Sequence, residues 1–136
     1  MSYYKTTGLL FLILFSILCC NQKGVIELVH TWDRNKIDIE RVILLIEDGK
    51  GGKQEIDMEM SYHTGVATAQ KKVDIGAYRL KIYFKIPEIS NMLSNNTYKK
   101  IIVKEDNIIG LRSSLSNSTE EILKFLEVRD ENFNCL

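Results

Sequence analysis

The chain has 136 residues with 18 basic and 18 acidic side chains, so its formal net charge is zero. That balance excludes the basic footprint a nucleic-acid-binding domain carries, and the paired lysines Lys71-Lys72 and Lys99-Lys100 read as solvated strand edges. Two histidines and three cysteines are too few, and too badly spaced, for a zinc site.

The chain begins with an apolar run, Gly8 to Cys20, preceded by Lys5 and followed at once by the polar Asn21-Gln22-Lys23-Gly24. As a helix this run reaches only about 20 Å, short of the roughly 30 Å of hydrocarbon a spanning helix must cross. A positive start, a short apolar stretch and a polar exit predict an export signal helix over residues 1–19. No later apolar run approaches spanning length, and residues 20–136 are of a size to form one domain.

The segment Ile17-Leu18-Cys19-Cys20 resembles a bacterial lipoprotein signal, in which an aliphatic residue, a variable residue and a small residue precede the lipidated cysteine. Ile17 fills the aliphatic position and Cys20 the acceptor position. Cys19 stands where Gly, Ala or Ser is usual, and such relaxed motifs are similar to those of spirochaete lipoproteins. The resemblance implies cleavage before Cys20, acylation of its sulfur, and residues 20–24 as a short lipidated tether. It also implies that only Cys135 would remain as a thiol, so no internal disulfide framework forms. Two or more acyl chains give stable anchoring, at about 0.8 kcal/mol per buried CH₂.

Residues 25–136 read as strands. Val25 to His30 is the first, and Thr31 to Asp38 reads as a polar connection carrying the single tryptophan, Trp32. Arg41 to Glu47 is a continuous aliphatic run suited to a strand covered on both faces. Gly49-Lys50-Gly51-Gly52 then predicts a hairpin turn. Glu55 to Tyr62 alternates strictly, with Ile56, Met58, Met60 and Tyr62 on one face. Gly65 to Val73 is a weaker strand, and Asp74-Ile75-Gly76 a turn. Tyr78 to Ile86 alternates again, with Tyr78, Leu80, Ile82, Phe84 and Ile86 inward, until Pro87 ends it. Glu88 to Asn96 is a Ser/Asn-rich excursion with a helical turn around Ile89, Met92 and Leu93. Tyr98 to Lys104 and Ile108 to Leu115 are two more strands. Ser118-Thr119-Glu120-Glu121 fits a capping box and favours a short helix over residues 119–129, with a final strand as the rival.

This pattern predicts a mainly β fold: a single antiparallel β-sandwich of about seven strands with a short C-terminal helix, behind the signal helix. Val73-Asp74-Ile75-Gly76-Ala77-Tyr78-Arg79-Leu80-Lys81-Ile82 resembles the turn and strand of prealbumin-like and immunoglobulin-like modules, a likeness that implies fold and not function.

Chemistry is sparse. Nucleophile elbows and phosphate-binding loops are absent, and Glu55, Asp57 and Glu59 lie on one wet strand face. No catalytic residue, metal ligand or cofactor is expected. His30, Trp32 and Asp33 form the one candidate binding patch, since aromatic residues anchor interfaces; a core role for Trp32 is the competing expectation. Asn95 and Asn117 begin glycosylation acceptor patterns. The expected function is a lipid-anchored, non-enzymatic envelope binding module. It would hold the membrane through its lipid and meet an unknown protein, envelope or host ligand at sheet edges and end loops. The alternatives are an enzyme inhibitor presenting a loop at 31–38 or 88–96, and a soluble secreted eukaryotic protein.

Overall fold

The computed structural model describes residues 22–61, 63–127 and the backbone of 134–135. The expected signal helix, Cys20, Tyr62 and the end of the terminal helix past residue 127 lie outside the described residues.

The strands form two facing sheets. In the first, β4 (Glu59–Ser61), β5 (Val66–Asp74), β1 (Lys23–Trp32) and β9 (Ile108–Leu115) lie side by side in that order. In the second the order is β10 (Asn134–Cys135), β7 (Leu93–Ser94), β6 (Gly76–Lys85), β2 (Arg41–Asp48) and β3 (Lys53–Asp57), with β8 (Lys99–Val103) also pairing β6. Neighbours run antiparallel except β1 and β9, which are parallel. The expected β-sandwich is thus present, with one parallel ladder that hairpin reasoning does not foresee.

Strand period explains the core. Along β1 every second residue is buried, from Gly24 through Ile26, Leu28 and His30 to Trp32. Leu80, Phe84 and Ile86 face them from the second sheet, with Tyr78 and Ile82 half-buried alongside. The aliphatic run of β2 is covered on both faces, as its composition predicts. Val42, Leu44 and Ile46 join the main core, while Ile43 and Leu45 pack with Tyr83 and Met92 on the outer face.

Three local expectations change. The alternating Glu55 to Ser61 segment is two strands, because the chain leaves the second sheet at Met58 and enters the first as β4. Met58 is buried at this corner, and its amide donates to the Val42 carbonyl at 3.0 Å. The Thr31 to Asp38 connection is less polar than it reads: Thr31 and Trp32 extend β1, and Ile37 within it and Ile39 just past it are core residues. The helical turn around Ile89, Met92 and Leu93 is replaced by turns and the short β7. There, Lys85 Nζ donates to the carbonyls of Ile86 (3.1 Å) and Ile89 (3.0 Å), and Leu93 is fully buried.

The capping box forms as its sequence requires. The Glu121 amide donates to Ser118 Oγ at 3.2 Å, and the Ser118 amide donates to Glu121 Oε1 at 3.4 Å. Helix α1 (Thr119–Glu127) follows and buries Ile122 completely. Its first residue, Thr119, donates its amide to the Lys36 carbonyl, which fixes the helix against the loop that follows β1.

Candidate functional site

The register of the first sheet sets His30 between Ala67 of β5 and Ser113 of β9. Paired residues on adjacent strands share a face, so the imidazole is flanked by two small side chains and space remains around it. Across the sandwich, β7 covers β6 only at Phe84 and β8 covers it only from Gly76 to Leu80. Between these two ladders the chain turns away through Asn95 to Tyr98, with Asn96 in the left-handed region at φ 58°. These features together leave a cavity of about 360 Å³ between the sheets.

Its floor is apolar, formed by Leu28, Leu44, Leu80, Ile82, Phe84 and Leu115. His30 lines it from below, only 3% exposed, and neither ring nitrogen has a hydrogen-bond partner among the described residues. Burial drives its pKa down from the ordinary 6.5 to about 4, so the ring is neutral at pH 7. A neutral imidazole carries one donor and one acceptor. Asn95, Thr97, Lys99, Arg112 and Ser114 stand among the polar lining residues, and no described Asp or Glu lines the cavity.

Of the expected patch, the structure brings His30 and Trp32 together on the inward face of β1, their ring centroids 6.2 Å apart and tilted by 31°. Asp33 lies past the strand end, exposed, where its Oδ1 accepts the Asn35 amide at 2.9 Å and shapes a turn. The other histidine, His63, is exposed in a turn, and its carbonyl accepts a hydrogen bond from Arg34. Sequence reasoning did not pick out Ser113, Lys99 or Arg112. Ser113 left a readable signal, because it interrupts the inward series Ile109, Leu111, Ser113, Leu115 with one polar residue. His30 interrupts its own strand in the same way, and only the pairing of β1 with β9 shows that the two breaks coincide.

A second polar cluster lies on the outer face of the second sheet. The Arg79 guanidinium sits 4.0 Å from the centroid of the Tyr98 ring, and Lys81 Nζ 4.7 Å from it. Glu47 accepts from the Tyr98 hydroxyl at 3.3 Å and pairs with Lys53 at 3.7 Å and Arg79 at 3.9 Å. Burial lowers the Lys81 pKa and raises that of Tyr83. These charges and rings pair with one another, so this network braces the face. Among the described residues no group of three or more His, Cys, Asp or Glu side chains could hold a metal ion.

The first sheet ends at β9, eight residues long, whose only ladder among the described residues is with β1. Arg112 is its single charged residue, and Ile108 at its start is 63% exposed.

No protein-family model matches the sequence, and no curated protein matches it. Among solved structures, the chain is similar in shape to a leucine-rich repeat protein from Bacteroides thetaiotaomicron (TM-score 0.45, 10% identity, covering 73% of this chain and 12% of that one). It is similar to the Bacillus anthracis TIE protein (TM-score 0.48, 18% identity, 71% of this chain and 17% of that one). It is also similar to the CBM25-1 of β/α-amylase from Paenibacillus polymyxa (TM-score 0.36, 14% identity, 65% of this chain and 81% of that one). The chain thus spans a small part of the first two proteins, and at these scores the likeness extends to neither a family nor a function.

Proposed function

We propose that this chain is a lipid-anchored protein of the bacterial cell envelope that acts as a binding module and not as a catalyst. Cys20 is the acylated residue, residues 1–19 are the removed signal, and the domain sits close to the membrane on a short tether. The observation that supports binding is the outer edge of β9, which no other described strand pairs. An open strand edge carries a row of amide and carbonyl groups that an extended partner segment can pair with. Folds with edges of this length commonly blunt them with charge or proline, and β9 has one charge and no proline. A partner adding a strand here would take its affinity from backbone hydrogen bonds and its selectivity from the exposed Ile108 and Arg112.

The anchor is tested by growing cells with an alkyne analogue of palmitate. The wild-type chain is expected to carry the label and to sediment with membranes, and Cys20→Ala to lose both properties; label retained on Cys20→Ala defeats the assignment. The edge is tested by placing lysines at two exposed β9 positions, Gly110→Lys with Ser114→Lys, where a side chain at Gly110 meets nothing within 4 Å. Envelope proteins captured by the wild type and lost by this variant support strand addition, and equal capture by both removes it.

A further inference from the structure

Separately from the edge of β9, the interior of the sandwich holds a group that the fold leaves unexplained. A buried polar side chain with no partner costs about 1–3 kcal/mol, so such groups are few and each calls for a physical reason. His30 is one, with both ring nitrogens unpartnered among the described residues, and it lines a cavity instead of being sealed in packed side chains. A packing role for the ring is better served by leucine or phenylalanine, which fill the same space without stranded nitrogens. We propose that this cavity is a binding site for a small amphiphilic carboxylate: its apolar body lies on the leucine, isoleucine and phenylalanine floor, its anionic head meets Lys99 and Arg112, and an oxygen at its far end bonds to His30.

Charge, depth and size each point to that class. Lys99 pairs with Leu80 and so shares the inward face of β8, yet it is exposed. Arg112 is exposed on the edge strand β9, out of phase with the inward Leu111 and Ser113, and meets the cavity at its rim. Neither has an ion-pair partner among the described residues, and with no carboxylate in the lining the mouth favours an anion. His30 sits deep where those cations are shallow, so one molecule reaching both must be polar at each end and apolar between. The neutral ring accepts from a hydroxyl or donates to a carbonyl, and it adds no charge to the apolar floor. At the roughly 30 Å³ that one water molecule occupies in the liquid, the cavity matches a ligand of about a dozen non-hydrogen atoms. Its volume also lies inside the range of about 300–1,000 Å³ typical of small-molecule sites.

The probes are octanoate and 8-hydroxyoctanoate, which differ only in the oxygen offered to His30. The full chain is held in lipid nanodiscs, with empty nanodiscs as the blank, and binding is followed by titration calorimetry. The wild type is expected to bind both saturably and the hydroxylated acid about fivefold more tightly, the value of one net hydrogen bond. In His30→Leu the order reverses in favour of octanoate. In Lys99→Gln and Arg112→Gln both acids weaken by about threefold with the order kept. Cys20→Ala leaves all of these values unchanged, which separates this site from the anchor. Two results overturn the proposal: no saturable binding of either acid, which leaves His30 bonded to buried water only, or a hydroxyl preference that survives His30→Leu. Should His30→Leu not fold, the imidazole nitrogen resonances of the wild type decide. Saturating 8-hydroxyoctanoate must shift those of His30 and spare those of the exposed His63, and an unmoved His30 refutes the site.

Discussion

The two long sides of the sandwich are closed in different ways. On one side the chain itself forms the seam: β3 leaves the second sheet and becomes β4 of the first, with Met58 buried at the corner. On the other side β8 and β9 belong to opposite sheets and are joined only at one end, through residues 104–107. That end is pinned by the Val25 amide on the Asn107 carbonyl (2.9 Å) and the Asp106 amide on the Lys23 carbonyl (2.9 Å). Beyond the pin the edges separate, and the His30 cavity occupies the gap. The hinge-like seam, not the continuous one, carries the His30 cavity and its two stranded ring nitrogens.

The contrast can be broken from either side. The largest effect is expected on the sealed side, where Met58→Ala removes a buried side chain at the corner and should cost about 3 kcal/mol in urea unfolding, within the usual range for core methionines. On the open side the response depends on pH. His30 titrates near 6.5 when unfolded and near 4 when folded, so between these values the unfolded chain binds the extra proton. Stability contributed by the neutral ring is therefore complete above pH 6.5 and lost as the pH falls toward 4, by on the order of 3 kcal/mol at most. The His30→Leu difference curve isolates this window from the titration of the carboxylates, and at pH 7 that variant should be more stable by about 1 kcal/mol. A wild-type curve parallel to that of His30→Leu from pH 7 to 4 would show the ring to be charged or hydrogen-bonded. A smaller loss than at Met58 is expected from Gly24→Ala at the pin. A Cβ there would run into Val103 Cγ1 and stand 2.6 Å from the Lys104 carbonyl oxygen, so it must displace the β8–β9 seam. A loss of about 2 kcal/mol is expected, together with altered octanoate affinity if the seam sets the width of the cavity.

Strand-level features were legible because period and turn chemistry are local. The inward set of Tyr78 to Ile86, the doubly covered run of β2, the Gly49-to-Gly52 turn and the Ser118–Glu121 box all follow from neighbours in sequence. The sheet exchange at Met58 was not legible, because Ile56, Met58 and Met60 keep one period straight through the corner. Nor was the helical turn around Ile89 and Met92 safe to expect, since Lys85 Nζ donates to the carbonyls of Ile86 and Ile89 and Met92 packs on the outer face of the second sheet. At the candidate site, His30 and Trp32 could be named from residue type alone. Their burial together followed from β1 extending past Thr31, while Asp33 was cast off by the end of that same strand. Ser113, Lys99 and Arg112 reach the cavity only through long-range pairing, which a single sequence does not encode in any local pattern.

The parallel pairing of β1 with β9 has a kinetic consequence. The first strand of the domain cannot be flanked on both edges until the last long strand has been made, and nothing local can substitute for it. Loop-closure entropy must be met before that ladder gives anything back, so the domain is expected to fold slowly for its length. In the interval β1 would present a bare edge and the alternating Ile26, Leu28 and Trp32 to whatever surrounds the nascent chain, which makes that period the one in which the molecule is most exposed to aggregation.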